Sequence, residues 1–110
     1  MRPDLEKVRL LARDLRGGKQ YPRSPRETLG GYVLAARAVD KCRAVLAGVE
    51  GDYHSNCPLD QIWLNFAEIK YDDFRAFVAT GATDDIQKYI PRNRVVYHWF
   101  DVYDLEEERL

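Results

Sequence analysis

The sequence contains little of the material that metal sites, disulfide scaffolds and membrane segments require. Among its 110 residues are only two cysteines and two histidines. Zinc sites usually depend on closely spaced pairs of these residues, so we expect no bound metal and no cofactor. No apolar run approaches the length of a membrane span, and the N-terminus lacks an apolar core of signal-peptide type. We therefore expect a cytoplasmic protein that does not enter a membrane.

Charge is plentiful but almost balanced. The 17 Lys and Arg residues face 18 Asp and Glu residues, which gives a formal net charge of -1. A protein that grips a phosphate backbone through many contacts needs an excess of positive charge, so we do not expect nucleic acid as the partner. The chain is basic through Arg26 and its tail, 101–108, is acidic, which is typical of two solvated ends. With 45% apolar residues, the chain has enough to build one folded domain, and we assign 1–110 to it.

The spacing of apolar residues predicts mainly helices. Residues at three-and-four spacing occupy the segments 4–15, 32–47, 58–67, 72–79 and 84–90. Between the first two lies a Pro/Gly-rich arm, 17–31, which favours neither a helix nor a central strand. The segment 94–104 fits either an alternating strand or a helix, and we choose the helix because no partner strand is evident. The predicted fold class is all-α, a compact single-domain bundle of about five helices with a Pro/Gly-rich N-terminal arm.

The loop before the third predicted helix carries the most reactive side chains. If Pro58 is the first helical residue, Cys57 takes the cap position, where free backbone N–H groups favour a thiolate. His54 lies three residues earlier and is a candidate base for that sulfur. The pattern therefore makes Cys57 a candidate nucleophile or redox thiol and His54 its candidate base. The favoured interpretation, because buried cysteines are usually inert, is a small packing residue at a helix start beside an ordinary loop histidine.

Charged residues also gather on one part of the longest predicted helix. Arg37 and Lys41 lie one turn apart, and Asp40 lies three residues from Arg37. This spacing is typical of a solvated face with an Arg37–Asp40 ion pair. It is also compatible with a face that holds an anionic ligand.

Several short runs resemble those of a known family. They are Pro22 to Pro25, Leu29 to Val33, Asp40-Lys41, Leu46 to Gly48, Tyr53-His54 through Asp60-Gln61, and Gly81 to Asp84. In these runs the chain resembles the bacterial domain of unknown function (DUF) family 5069, over about residues 14–90. The segments 1–13 and 91–110 flank that part and are predicted to be helical. The resemblance implies a compact helical domain in a bacterial cytoplasm and brings no assigned activity with it.

The residues within these runs suggest two functions. The favoured hypothesis is a binding module for a small anionic ligand or a protein partner, with a polar pocket around Tyr53 to Gln61 and the Arg37/Lys41 helix face. Its predicted ligand-binding residues are Arg23, Arg37, Asp40, Lys41, Tyr53, Asp60 and Gln61. The alternative is a small enzyme with Cys57 as the nucleophile or redox thiol and His54 as the base. The oligomeric state stays open.

Overall fold

A computed structural model of the chain describes residues 2–83. In chain order the elements are helix α1 (Leu5–Leu11), a 3-10 turn (Arg16–Gly18), strands β1 (Thr28–Leu29) and β2 (Tyr32–Val33), and helices α2 (Ala35–Ala47), α3 (Pro58–Phe66) and α4 (Tyr71–Val78). The prediction of a mainly helical domain is confirmed for this part of the chain.

A small β-hairpin lies where the sequence predicted only an arm. Strands β1 and β2 pair antiparallel, with Thr28 opposite Val33 and Leu29 opposite Tyr32. Gly30 and Gly31, which join them, have φ values of 61° and 85°, and this left-handed pair is what a tight two-residue hairpin turn requires. The mainly helical character of the predicted fold is thus confirmed, and the hairpin corrects the expectation that it is all-α. The fifth predicted helix, 84–90, lies outside the described residues. Within residues 2–83 there are four α-helices and this two-stranded sheet.

The hairpin also sets where α2 begins. Tyr32 belongs to β2, and Leu34 follows with a φ of 72°, so the helix begins at Ala35 rather than at Tyr32 as predicted. The Leu34 N–H donates to the Pro25 carbonyl at 3.0 Å, which holds the arm against the start of the helix. At the other end, the predicted stop is confirmed. Gly48 has a φ of 74°, and its N–H donates to the Ala44 and Val45 carbonyls in the last turn of α2.

Helix α2 lies at the centre of the core. Its apolar face packs against the hairpin and against α3 and α4, and Trp63 of α3 is completely buried between Tyr32 and Phe74. The core consists of Leu29, Tyr32, Val33, Leu34, Ala35, Ala36, Ala38, Val39, Cys42, Trp63, Leu64, Ala67, Phe74 and Val78. Burial of each large side chain in this cluster stabilises the fold by about 1.5–3 kcal/mol. Because three-and-four spacing places these side chains on one face of each helix, the helices pack against each other through those faces.

The remaining predictions fall on residues that the structure does not describe. The predicted helices 84–90 and 91–110, and the choice between strand and helix for 94–104, lie outside residues 2–83. Of the helices inside that range, none combines the length and the apolar content needed to cross a membrane.

Candidate functional site

Arginines from three parts of the chain lie around a buried carboxylate on α2. Asp40 is only 3% exposed. Arg23 donates to it through its backbone N–H (2.7 Å), its Nε (3.0 Å) and its Nη2 (3.1 Å). Arg13 Nε and Arg43 Nη1 each lie 4.0 Å from a carboxylate oxygen. One acidic side chain thus lies beside three cationic ones, and this group is called the Asp40 cluster below.

Arg37 does not pair with Asp40, although their spacing predicted it. Its Nη1 donates to the Arg23 carbonyl at 3.3 Å, and its guanidinium carbon lies 5.7 Å from the centre of the Tyr53 ring. This is a cation–π distance. The prediction of a solvated face was wrong as well, because Asp40 and Lys41 are both buried and their charges are matched inside the protein.

Lys41 and Asp60 form a second buried ion pair, which includes Cys57. Lys41 Nζ lies 3.1 Å from Asp60 Oδ1 and 3.0 Å from Cys57 Sγ. The Lys41 and Asp60 side chains are 5% and 4% exposed. Asp60, three residues into α3, also reaches back to accept the Cys57 N–H at 3.4 Å, as in a capping box. The ammonium, the thiol and the carboxylate therefore form one connected group, called the Lys41 cluster below.

The predicted cysteine and histidine pair does not form in the structure. Cys57 caps α3 ahead of Pro58, as predicted, and is half-buried and free of any disulfide. His54 is exposed, and within residues 2–83 the side chain that hydrogen-bonds the sulfur is that of Lys41. Gln61 is turned toward the loop and donates to the Asn56 side chain.

The second cysteine sits in a different environment. Cys42 is fully buried on α2, and its neighbours include the hydroxyl groups of Ser55 and Tyr71, which hydrogen-bond each other at 2.7 Å. Burial raises the pKa of the Cys42 thiol to about 11, since an anion is costly in the core. Burial likewise raises the pKa of Tyr71. Cys42 is therefore a neutral thiol at ordinary pH.

The predicted ligand-binding residues line several cavities. Arg23 lines one of about 470 Å³, together with Arg13 and Lys19. Tyr53 lines another of about 430 Å³ beside the 3-10 turn, and Gln61 a third of about 400 Å³ next to α4. Lys41 and Asp60 line none of these three. The predicted set is thus divided between two buried ion-pair clusters and separate surface cavities.

Several members of these clusters were not predicted from the sequence. Arg43 lies three residues after Asp40 on α2, so its helical spacing could have identified it. Arg13 precedes the arm, and Lys19, which lines the adjacent cavity, lies within the arm. No local pattern links either residue to Asp40. The contact between Lys41 and Cys57 joins residues 16 positions apart and depends on how α2 packs against α3.

The described part of the chain has no group of three or more His, Cys, Asp or Glu residues arranged to hold a metal ion.

Comparison with known proteins gives a family and no activity. No curated protein matches the chain. The matching family model is described as a domain of unknown function (DUF5069), and it covers residues 19–87. This range includes the hairpin, α2, α3, α4, the Lys41 cluster and all of the Asp40 cluster except Arg13. Because the match extends over more than half of the 110 residues, the chain belongs to the DUF5069 family.

Proposed function

We propose that this chain is a binding module for a small anionic ligand, which it holds with the basic side chains beside Asp40. The observation that carries the proposal is the convergence of three arginines on one buried carboxylate, at 3.0, 4.0 and 4.0 Å. Arginine is the side chain best suited to carboxylate and phosphate groups, because its planar donors match their oxygens.

The cavity beside this cluster has a suitable charge and size. Three cationic side chains, Arg13, Lys19 and Arg23, and one anionic side chain, Glu27, line it. Its volume of about 470 Å³ is in the range of small-molecule sites. Arg13 is 45% exposed, so its guanidinium is accessible from solvent at the cavity wall.

Asp40 supports the proposal by fixing the arginines in advance. Three hydrogen bonds hold Arg23, and Arg13 Nη1 donates to the Tyr21 carbonyl at 2.9 Å. Side chains that are ordered before binding lose less conformational entropy when the ligand arrives, which raises affinity. Asp40 is thus a positioning residue for the arginines, and the ligand contacts the arginines rather than Asp40.

The geometry favours this function over the cysteine enzyme. An enzyme with Cys57 as the nucleophile needs a base beside the sulfur, and His54 is exposed and makes no hydrogen bond to Cys57 within residues 2–83. Lys41, which does contact the sulfur, is engaged with Asp60. The bacterial cytoplasm remains the proposed setting, on the strength of the family resemblance.

The test is a titration of the full chain with inorganic pyrophosphate, followed by amide NMR shifts. We expect saturable shifts centred on residues 13 and 19–24. Arg13→Gln and Lys19→Gln should each weaken binding by about three- to tenfold, because a charge-assisted hydrogen bond contributes roughly 1.5–3 kcal/mol when shielded and less at a surface. Arg9→Gln is the matched control, since Arg9 is an exposed arginine on α1 outside this cavity.

Two outcomes would overturn the proposal. One is the absence of saturable shifts at millimolar pyrophosphate. The other is an equal loss of affinity in Arg9→Gln, which would mean that overall charge rather than this site attracts the anion. If a peptide with acidic side chains binds the same residues while pyrophosphate does not, the ligand is a protein segment and the small-ligand proposal fails.

A further inference from the structure

The contact between Cys57 and Lys41 places a thiol against an amine. Lys41 projects from the middle of α2, whereas Cys57 caps α3, and their sulfur and nitrogen atoms lie 3.0 Å apart. These two groups can be joined by oxidation, because an oxidised cysteine sulfur is attacked by nearby nucleophiles, nitrogen among them. The two atoms are thus already at hydrogen-bond distance.

Asp60 holds both partners in this position. One of its oxygens lies 3.1 Å from the Lys41 nitrogen, and the other accepts the Cys57 N–H. A lysine side chain on a surface samples many rotamers, but here it is 5% exposed and held at its tip. Fixing two reactive groups in contact makes their reaction effectively unimolecular, which can raise its rate by several orders of magnitude.

We propose that peroxide oxidation joins Cys57 to Lys41 through a covalent sulfur–nitrogen bond. In the first step the Cys57 thiolate attacks hydrogen peroxide. The O–O bond breaks, sulfur loses two electrons, and the product is a sulfenic acid and hydroxide. In the second step the Lys41 ammonium passes one proton to that hydroxide, by way of the Asp60 carboxylate, and forms water.

The resulting amine then attacks the Cys57 sulfur. The S–N bond forms as the S–O bond breaks, and the departing hydroxide takes a second proton from nitrogen to give another water. Thiolate, ammonium and one peroxide thus become a sulfenamide and two waters, with charge and atoms in balance. The proposal is independent of anion binding beside Asp40, since neither Cys57 nor Lys41 lines that cavity.

Cys57 is the cysteine that peroxide reaches first. It is half-buried, whereas Cys42 is buried completely. Oxidation proceeds through the thiolate, and burial keeps Cys42 in the neutral form by raising its pKa to about 11. The two cysteines of the same chain therefore provide an internal comparison.

The experiment treats the folded Cys42→Ala protein with hydrogen peroxide, removes the excess, and measures the intact mass after denaturation. Cys42→Ala leaves one thiol, so no disulfide can form within the chain. We expect a mass lower by about 2 Da, because two hydrogens are lost when the S–N bond forms. Tryptic peptides 38–43 and 44–70 should remain joined until a thiol reductant separates them.

The matched variant is Lys41→Arg in the same background. Arginine keeps the positive charge beside Asp60 but is not a competent nucleophile, so we expect no mass decrease and instead a gain of about 32 Da from sulfinic acid. Two results would overturn the proposal. The first is peroxide treatment of Cys42→Ala that adds oxygen to Cys57 without joining the peptides. The second is a mass decrease that persists in Lys41→Arg. Peptide mapping of Cys42→Ala alone decides the matter if Lys41→Arg does not fold.

Discussion

Arg23 donates both its backbone N–H and its guanidinium to the carboxylate of Asp40, 17 residues further along the chain, at 2.7 and 3.0 Å. This bond fastens the Pro/Gly-rich arm to the central helix. The arm has little regular structure of its own beyond the hairpin, so the ion pair orders the segment that precedes β1. The same bond orients the arginine side of the proposed anion site.

The first prediction concerns Asp40→Asn. The substitution keeps the shape but removes the charge that offsets the guanidinium groups of Arg23 and the buried Arg43, so we expect the free energy of unfolding to fall by about 3–5 kcal/mol. Urea unfolding measures it. Asp14→Asn is the control, since Asp14 pairs with Arg16 on the surface, where solvent screens the interaction, and little change is expected. Equal effects in the two variants would contradict a special role for the buried pair.

Local sequence features predicted the central helix but not the hairpin. Periodicity predicted α2 and its glycine stop, because burial of an apolar face and a left-handed glycine are local requirements. The hairpin was missed, since two strands of two residues each are too short for alternation to be visible. Its one local signal was the pair Gly30-Gly31.

The candidate site could be predicted as a set of residues but not as an arrangement. Cys57 was assigned to the cap of α3 from Pro58, a local signal. Its contact with Lys41 instead of His54 depends on the packing of two helices, which short-range spacing does not encode. From the sequence alone, a helix face that carries Asp40 and Lys41 is predicted to be solvated. Their partners, Arg23 and Asp60, come from distant segments, so no local pattern indicates that the face is buried.

The second prediction concerns the Lys41–Asp60 pair. Lys41→Met leaves the Asp60 carboxylate buried beside an apolar side chain, so we expect a loss of about 3–5 kcal/mol in the free energy of unfolding. Adding Asp60→Asn removes the stranded charge, and the double variant should be more stable than Lys41→Met alone. Chemical denaturation of the three proteins completes the comparison. If the double variant is less stable than Lys41→Met, the unpaired Asp60 charge is not the cause of the lost stability.

The third prediction separates the two cysteines by alkylation. In the folded protein near neutral pH, iodoacetamide should label Cys57 and leave Cys42 unlabelled, because Cys42 is fully buried and its raised pKa keeps it a thiol. Intact mass should show one label in buffer and two in urea. In Cys57→Ser the native protein should take up no label. Two labels at similar rates in buffer would mean that the core around Cys42 opens freely.

The fourth prediction is a loss of stability at alkaline pH that Cys42 causes. Its pKa is about 11 in the folded protein against an ordinary value of 9.0, so the unfolded chain releases the proton first. The stabilising contribution is complete below pH 9.0 and is lost as the pH rises toward about 11, by roughly 2–3 kcal/mol in all. Unfolding measured from pH 8 to pH 11 tests this, and Cys42→Ala should show a shallower decline. An unchanged slope in that variant would assign the loss to other groups.

The fifth prediction compares two glycines with similar backbones and different surroundings. Gly51 and Gly17 have φ values of 58° and 77°, so an alanine at either is strained by about 1–2 kcal/mol. A Cβ on Gly51 would also lie 2.9 Å from the Leu15 carbonyl oxygen, whereas one on Gly17 would meet nothing within 4 Å. The Leu15 N–H donates to the Val49 carbonyl at 2.9 Å, and this bond holds the segment at Leu15 close to the loop that contains Gly51.

Gly51→Ala should therefore lower the free energy of unfolding by about 1–3 kcal/mol more than Gly17→Ala, the additional amount being the cost of overpacking. Thermal unfolding resolves such a difference, since about 1 kcal/mol moves the midpoint of a domain of this size by roughly 4–8 °C. Equal midpoints for the two variants would mean that the loop at Gly51 can shift away from Leu15 and Arg16. The bond between Leu15 and Val49 would then be too weak to fix the spacing of the two segments.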